Sequence, residues 1–265
     1  MVNSKIQQKK EGINIFPDVT DWKDLQNKIC LLLNQIGLIA ECEKKLTTPR
    51  GQVEVDVYAY DPNSVDNIRY IVECKNWCEP VNQSVIHSFT TVMNETGCNI
   101  GYIVSKNGFQ SGAANYVKNT NIKLFTFNEI QSHYYRLWMI NYFARKLERI
   151  NERCNYYCEP CNIQRDRAVD KLNDAKRNHF FELYYFYGPF IFTLEMVSTG
   201  INYLMKCNPN KDYTEIEWES LFLKSKEFGL NIASLSLSEI LTELEIFIIE
   251  IEKKFDDIFG YDIFA

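Results

Sequence analysis

The 265-residue chain has no surplus of basic side chains, no uncharged run long enough to cross a bilayer, no internal repeat and no low-complexity tract. Each absence removes a class of protein. With 29 Lys and Arg against 35 Asp and Glu and a net charge of -6, the chain is not one that coats nucleic acid indiscriminately, because that mode runs on phosphate neutralisation. A local basic cleft stays open. The most apolar stretch, residues 180–197, contains Glu182 and Glu195 and is broken at Gly188-Pro189. That leaves about a dozen uncharged residues where roughly 20 are needed to span a membrane. It reads instead as a buried, Pro-kinked helix or an oligomer interface. The first ten residues, MVNSKIQQKK, are polar with no apolar run behind them, so no secretory signal is expected and a cytosolic chain is the default.

Nine cysteines are an odd count and lack a paired C-x-x-C frame; without an oxidising compartment they read as reduced thiols. Cys154, Cys158 and Cys161 with Cys207 or His179 have the wrong spacing for a zinc frame, so zinc is not expected and buried free thiols are. What is present is an ordinary globular composition, 46% hydrophobic and 24% charged, with length for one large domain or a main domain plus an appendage. Residues 1–130 carry 13 basic and 14 acidic side chains, 131–200 carry 10 and 8, and 201–265 carry 6 and 13. The acidity lies at the C-terminal end.

Apolar residues at Trp22, Leu25, Ile29, Leu32, Leu33 and Ile36 predict a helix capped by Thr20 or Asp21 and ended by Gly37. GQVEVDVYAY at 51–60 alternates as a strand should, with Gln52, Glu54 and Asp56 sharing its polar face. After a DPNS turn, IRYIVECKNW supplies a second strand and a hairpin partner. A helix follows over 82–96, then a strand at 100–104, a short helix over 109–119 and a strand at 122–127. Helix, strand, strand, helix, strand, helix, strand implies an α/β domain with a mixed sheet. Beyond about residue 130 helical periodicity takes over. The basic run Arg165, Arg167, Lys171, Lys176 and Arg177, interleaved with Asp166, Asp170 and Asp174, reads as a solvated helix laced with ion pairs. Ser236 with Glu239 predicts a capping box for the last helix.

If the two hairpin strands pair, Asp56, Glu73, Lys75 and Glu54 converge, since Glu73 and Lys75 share a face while Cys74 points away. Charges that far into an apolar strand need a partner or a metal. Two carboxylates beside a lysine suit Mg²⁺ chemistry on phosphodiesters: hard oxygen ligands for the ion, and an ammonium to orient the attacking water. The bland reading is a cross-strand salt bridge on a wet face. Gln83 and His87, four apart on one helix, face the same way and read equally as a contact to substrate phosphate or as an ordinary polar face. Asn107, Gly108 and Phe109 form a turn that approaches DNA or merely joins a strand to a helix.

The leading helix, EVDVYA, the sixteen residues between Asp56 and Glu73, ECKNW, GYIVSKNGFQSGA and NIKLFTF, in that order, resemble the Mrr-like catalytic domain of the PD-(D/E)XK nuclease superfamily. The resemblance covers about residues 18–130. It implies a restriction-endonuclease-like fold, with Asp56, Glu73 and the Cys74 carbonyl as metal ligands and Lys75 beside the nucleophilic water. Family members often carry a Glu on the first helix where this chain has Gln26, and Glu54 is a candidate substitute. Reading of methylated DNA is not carried over, because the usual winged-helix domain ahead of the catalytic one is not seen.

The expected organisation is an N-terminal extension at 1–17, an α/β nuclease domain at 18–130 with a mixed sheet flanked by helices, and an all-α region at 131–265 for dimerisation, partner binding or regulation. The expected function is a cytoplasmic, Mg²⁺-dependent endonuclease, with Mn²⁺ as a substitute ion. It acts on double-stranded DNA in restriction or anti-phage defence and makes no membrane contact. The alternatives are a catalytically silent binding module, a DNA-repair or junction nuclease, and action on RNA.

Overall fold

The computed structural model describes residues 14–207, 225–234 and 236–264. Residues 1–13, most of the expected N-terminal extension, lie outside the described residues. The chain parts into two compact units, Phe16–Asn141 and Tyr142–Ala265 with Met1–Ile15.

The first unit opens with α1 (Trp22–Gln35), whose N-cap Asp21 accepts a hydrogen bond from the Asp24 amide and whose Leu25, Ile29, Leu32 and Leu33 are buried. Gly37 ends it at φ +108°. Next comes β1 (Ile39–Thr48), a strand the sequence reading did not foresee. Its residues, IAECEKKLTT, alternate exposed and half-buried with none fully buried, so the apolar alternation that announces a strand is missing, as is common at a sheet edge. β2 (Gly51–Tyr60), β3 (Arg69–Lys75), β4 (Ile100–Ser105) and β5 (Ile122–Thr126) follow the expected order. The sheet runs β1-β2-β3-β4-β5, antiparallel in its first two pairs and parallel in the last two. It is therefore mixed and flanked by helices.

Between β3 and β4 lies α2 (Gln83–Thr96), which buries Ile86, Phe89 and Met93 in a core with Val55, Ile71 and Ile103. Its seat on β4 needs a glycine: a Cβ on Gly101 would come within 2.6 Å of the Phe89 ring. The helix expected over 109–119 is shorter, α3 (Ser111–Tyr116). Phe109 is drawn into a bridge with Val81 instead, held by Val81 N to Gly108 O and Gln110 N to Val81 O, each 3.0 Å. After β5 a full capping box, Thr126 with Glu129, starts α4 (Phe127–Trp138). This helix closes the first unit: the Trp138 indole donates to Gln35 Oε1 at 2.6 Å, and Gln131 accepts from the Phe16 amide at 2.8 Å.

The described residues of the second unit are predominantly helical. A π-helical stretch, Met139–Phe143, leads into α5 (Ala144–Cys158), followed by α6 (Ile163–Asp170), α7 (Asp174–Cys207) and α8 (Leu237–Phe259). The core is aromatic, with Tyr157 stacked on Phe255 at 4.8 Å and Phe180 edge-on to Phe255. Two expectations are corrected. Ser236 Oγ donates to the Glu239 carboxylate and caps no backbone amide, so the reciprocal box does not form. Arg165 is not solvated: it is 4% exposed, and its guanidinium donates to the carbonyls of Tyr157 and Glu159 as well as to Asp166. The apolar stretch at 180–197 lies within the single 34-residue helix α7, with Pro189 inside it. Among the described residues no helix is long and apolar enough to cross a membrane.

Candidate active site

The site forms where β2 and β3 part. Their antiparallel ladder runs from Tyr60–Arg69 to Val57–Val72 and stops; the next pair in register is Asp56 and Glu73. Asp56 bridges the opening with its side chain, because its Oδ2 accepts the Cys74 amide at 2.7 Å. A carboxylate so replaces the main-chain partner that Cys74 would otherwise lack, and a buried amide left unpaired is costly. The other oxygen, Oδ1, accepts Gln26 Nε2 at 2.7 Å. Gln26 is 3% exposed on α1, so its side chain reaches the strand aspartate from the buried side, as an amide donor.

On its other side Asp56 also lacks a ladder partner. The β1–β2 register skips Glu43, which would oppose it, and Glu43 has φ +53°, a left-handed conformation rare for a non-glycine residue. Lys23 lies 2.5 Å from the Glu43 carboxylate and 3.4 Å from Gln26 Oε1. Glu43, Lys23, Gln26 and Asp56 thus form one chain of contacts. Here the expected strand alternation fails. Val57 pairs with Val72, away from Ile71, yet Val55, of the same parity, packs with Ile71 in the α2 core.

Glu73 and Lys75 line a cleft of about 360 Å³ together with Glu54, Val55 and Trp77, and α2 supplies Ser84, Ser88 and Phe89 as its far wall. Lys75 is ion-paired with Glu73 and lies 5.3 Å from the centre of the Trp77 ring. Burial raises the Glu73 carboxyl above the ordinary carboxylate range, Lys75 draws it back, and the charge of Asp56 pushes it up again. Burial also raises the Cys74 thiol, which keeps it inert. Asn107 donates to the Trp77 carbonyl at 2.6 Å and so fixes the loop that carries the indole, 43% exposed.

Sequence reasoning missed three contributors. Trp77 sits within ECKNW but had no marked role, Lys23 reads as a surface lysine, and nothing in IAECEKK signals a positive φ at Glu43. Gln83 and His87 do not line the cleft. They touch each other at 3.3 Å, and the His87 ring lies 4.2 Å from that of Tyr116 on α3.

The donor chemistry at the opening is hard oxygen: two carboxylates, with a main-chain carbonyl on the strand between Glu73 and Lys75. Among the described residues no group of three or more His, Cys, Asp or Glu side chains is gathered to hold a metal, the candidate zinc cysteines included. Two carboxylates are enough for Mg²⁺, which keeps several waters and shares its sphere with substrate phosphate. Their mutual repulsion and partial burial fit a divalent cation.

Residues 18–134 match the Mrr catalytic-domain family, described as a restriction endonuclease. This part of the chain is similar to nuclease domains of the restriction-endonuclease type. The match covers less than half of the chain. No curated protein matches the chain. A crystallised protein of unknown function, AF1548, is similar at 15% identity over 68% of this chain and 100% of its own, with a TM-score of 0.37.

Proposed function

We propose that the chain is a Mg²⁺-dependent DNA endonuclease acting in restriction or anti-phage defence in the cytosol, with Asp56, Glu73 and the Cys74 carbonyl as its metal ligands. The observation that carries this reading is the clamp at Asp56: one oxygen on the Cys74 amide and one on Gln26, with Glu73 and Lys75 on the adjoining strand. That arrangement fixes the Asp56 carboxylate between α1 and β3 rather than leaving it on a wet face.

When bound, Mg²⁺ supplies charge stabilisation to the scissile phosphate. Gln26 orients the Asp56 carboxylate through the hydrogen bond from its Nε2. Lys75 keeps its ammonium at the Glu73 carboxylate and beside Trp77, the place from which it donates to the attacking water. Its charge also opposes that developing on the phosphate. Glu54, on the rim of the cleft, is an accessory oxygen donor. The exposed Trp77 indole offers a face to a base or sugar of a strand laid along the cleft. The same parts serve hydrolysis of RNA, so the substrate comparison includes it. The helical unit we assign to dimerisation or control.

Plasmid cleavage with and without Mg²⁺ tests the reading, comparing wild type with Lys75→Ala and Asp56→Ala proteins of unchanged circular dichroism. Each substitution is expected to lower the metal-dependent rate by about 10² or more. A cutting rate that survives both would overturn the assignment. No cutting by wild type with any divalent metal would favour the silent binding module.

A further inference from the structure

Helix α7 buries Phe180, Tyr187, Phe190, Ile191, Leu194, Ser198, Ile201 and Met205 along one side. At about 100° per residue, a second apolar stripe runs along nearly the opposite side. It contains Phe181, Tyr185, Phe192, Met196 and Tyr203, which are 38, 71, 59, 55 and 67% exposed. The stripe recurs every eleven residues: Phe181, Phe192 and Tyr203 in one slot, Tyr185 and Met196 in a second, Gly188 and Thr199 in a third. An eleven-residue period stays close to straight along a helix, so the stripe holds its line for roughly 33 Å. An exposed apolar strip of that length marks an interaction surface.

We infer that this stripe is a homodimer interface, occupied by α7 of a second copy lying antiparallel across it with Phe192 on the dyad. The spacing of the stripe, 4, 3, 4, 4, 3, 4 from residue 181 to residue 203, is the same in both directions, which is what a two-fold interface requires of a helix. Volume selects the antiparallel register. Centred on Phe192, it sets Tyr185 against Thr199 of the second copy and Gly188 against Met196, so each small residue receives a large one; Phe181 meets Tyr203. A Cβ on Gly188 would touch nothing within 4 Å in the single chain, which leaves a notch there for the Met196 side chain. A parallel pair would stack Tyr185 on itself and leave a gap between two copies of Gly188. Charge agrees, since the flanking Glu182 and Glu195 fall opposite Asn202 and Pro189 and meet no like charge.

The area is sufficient. With aromatic side chains of about 150–250 Å² each, the five large residues expose roughly 600 Å² per copy, most of the about 800 Å² per partner found in standard interfaces. The proposal deepens the assignment of the helical unit to dimerisation and does not depend on the chemistry at Asp56, so D56A should dimerise as wild type does whatever it does to cleavage.

The test is the mass of the full-length chain in solution, by light scattering and sedimentation over a micromolar concentration series. Wild type is expected to be a dimer. Phe192→Lys places two ammonium groups on the dyad at an exposed position, and is expected to abolish the dimer without changing the far-ultraviolet circular dichroism. Tyr185→Lys is expected to weaken the dimer at least tenfold, and adding Thr199→Glu to it, opposite in the antiparallel register alone, is expected to restore it. A monomeric wild type, a dimeric F192K, a double variant no tighter than Y185K, or a monomer that binds phospholipid vesicles through this stripe would each overturn the proposal.

Discussion

At the scale of the residue, the proposed metal site turns on Glu73. Its carboxyl is held above the ordinary range mainly by burial, so the folded, metal-free protein keeps a proton that the unfolded chain releases at lower pH. The sign follows: between the unfolded value and the raised folded value stability falls as pH rises, and above both the cost is fully present. Under the proposed ligand set, Mg²⁺ would oppose that cost by binding the charged form. In thermal melts across a pH series, the midpoint gain from added Mg²⁺ is expected to be largest at neutral pH and to vanish as Glu73 takes up its proton. Glu73→Gln, neutral at every pH, is expected to be at least as stable as wild type without metal at neutral pH and to gain nothing from Mg²⁺. A Mg²⁺ response that survives this substitution would remove Glu73 from the ligand set.

At the scale of the element, the edge strand β1 shapes the site without contributing a catalytic group. The left-handed backbone of Glu43 interrupts the ladder opposite Asp56, and the same point is where β2 changes the side on which it buries its valines. A side chain branched at Cβ is disfavoured in that conformation, whereas glycine adopts it freely. Glu43→Val is expected to cost about 1–2 kcal/mol in urea denaturation and to lower cleavage with it. Glu43→Gly is expected to keep stability within about 1 kcal/mol of wild type. The partner of this backbone feature is Lys23, whose ammonium is held by Glu43 and reaches Gln26. Equal losses from valine and glycine would show that the ion pair, and not the backbone, is what matters.

At the scale of the whole molecule, charge is unevenly shared. The net charge of -6 arises mainly in residues 201–265, and Arg153 on α5 answers part of it by pairing with Glu252, Asp256 and Asp262. Tyr157 also donates to Asp256, so the cluster ties α5 to the end of α8. Arg153→Met leaves three carboxylates facing one another. Because the guanidinium is about one third exposed, solvent moderates the loss, and about 1–3 kcal/mol of destabilisation is expected by chemical denaturation at neutral pH. The loss should shrink in acid as Glu252, already raised by burial, takes up a proton. A loss that does not change with pH would mean that Arg153 acts by packing alone.

The sequence by itself determined the elements whose two sides differ in polarity and the order in which they come. α1, β2, β3, α2, β4 and β5 announce themselves through a 3.6 or 2.0 period, and the spacing of Asp56, Glu73 and Lys75 on two adjacent strands is readable before any coordinates. β1 escaped because an edge strand with no fully buried residue carries no such period. Tertiary structure alone decided the rest, because each remaining feature depends on a contact between distant residues. Gln26 meets Asp56 across thirty residues, Asp56 replaces a main-chain partner for Cys74, and Lys23 pairs with Glu43, whose backbone takes a conformation that glutamate rarely adopts. The period of α2 put Gln83 and His87 on one face, but only its packing against α3 turned that face away from the cleft. Local pattern fixes which side of an element is apolar; which neighbour that side meets is settled when the chain closes on itself.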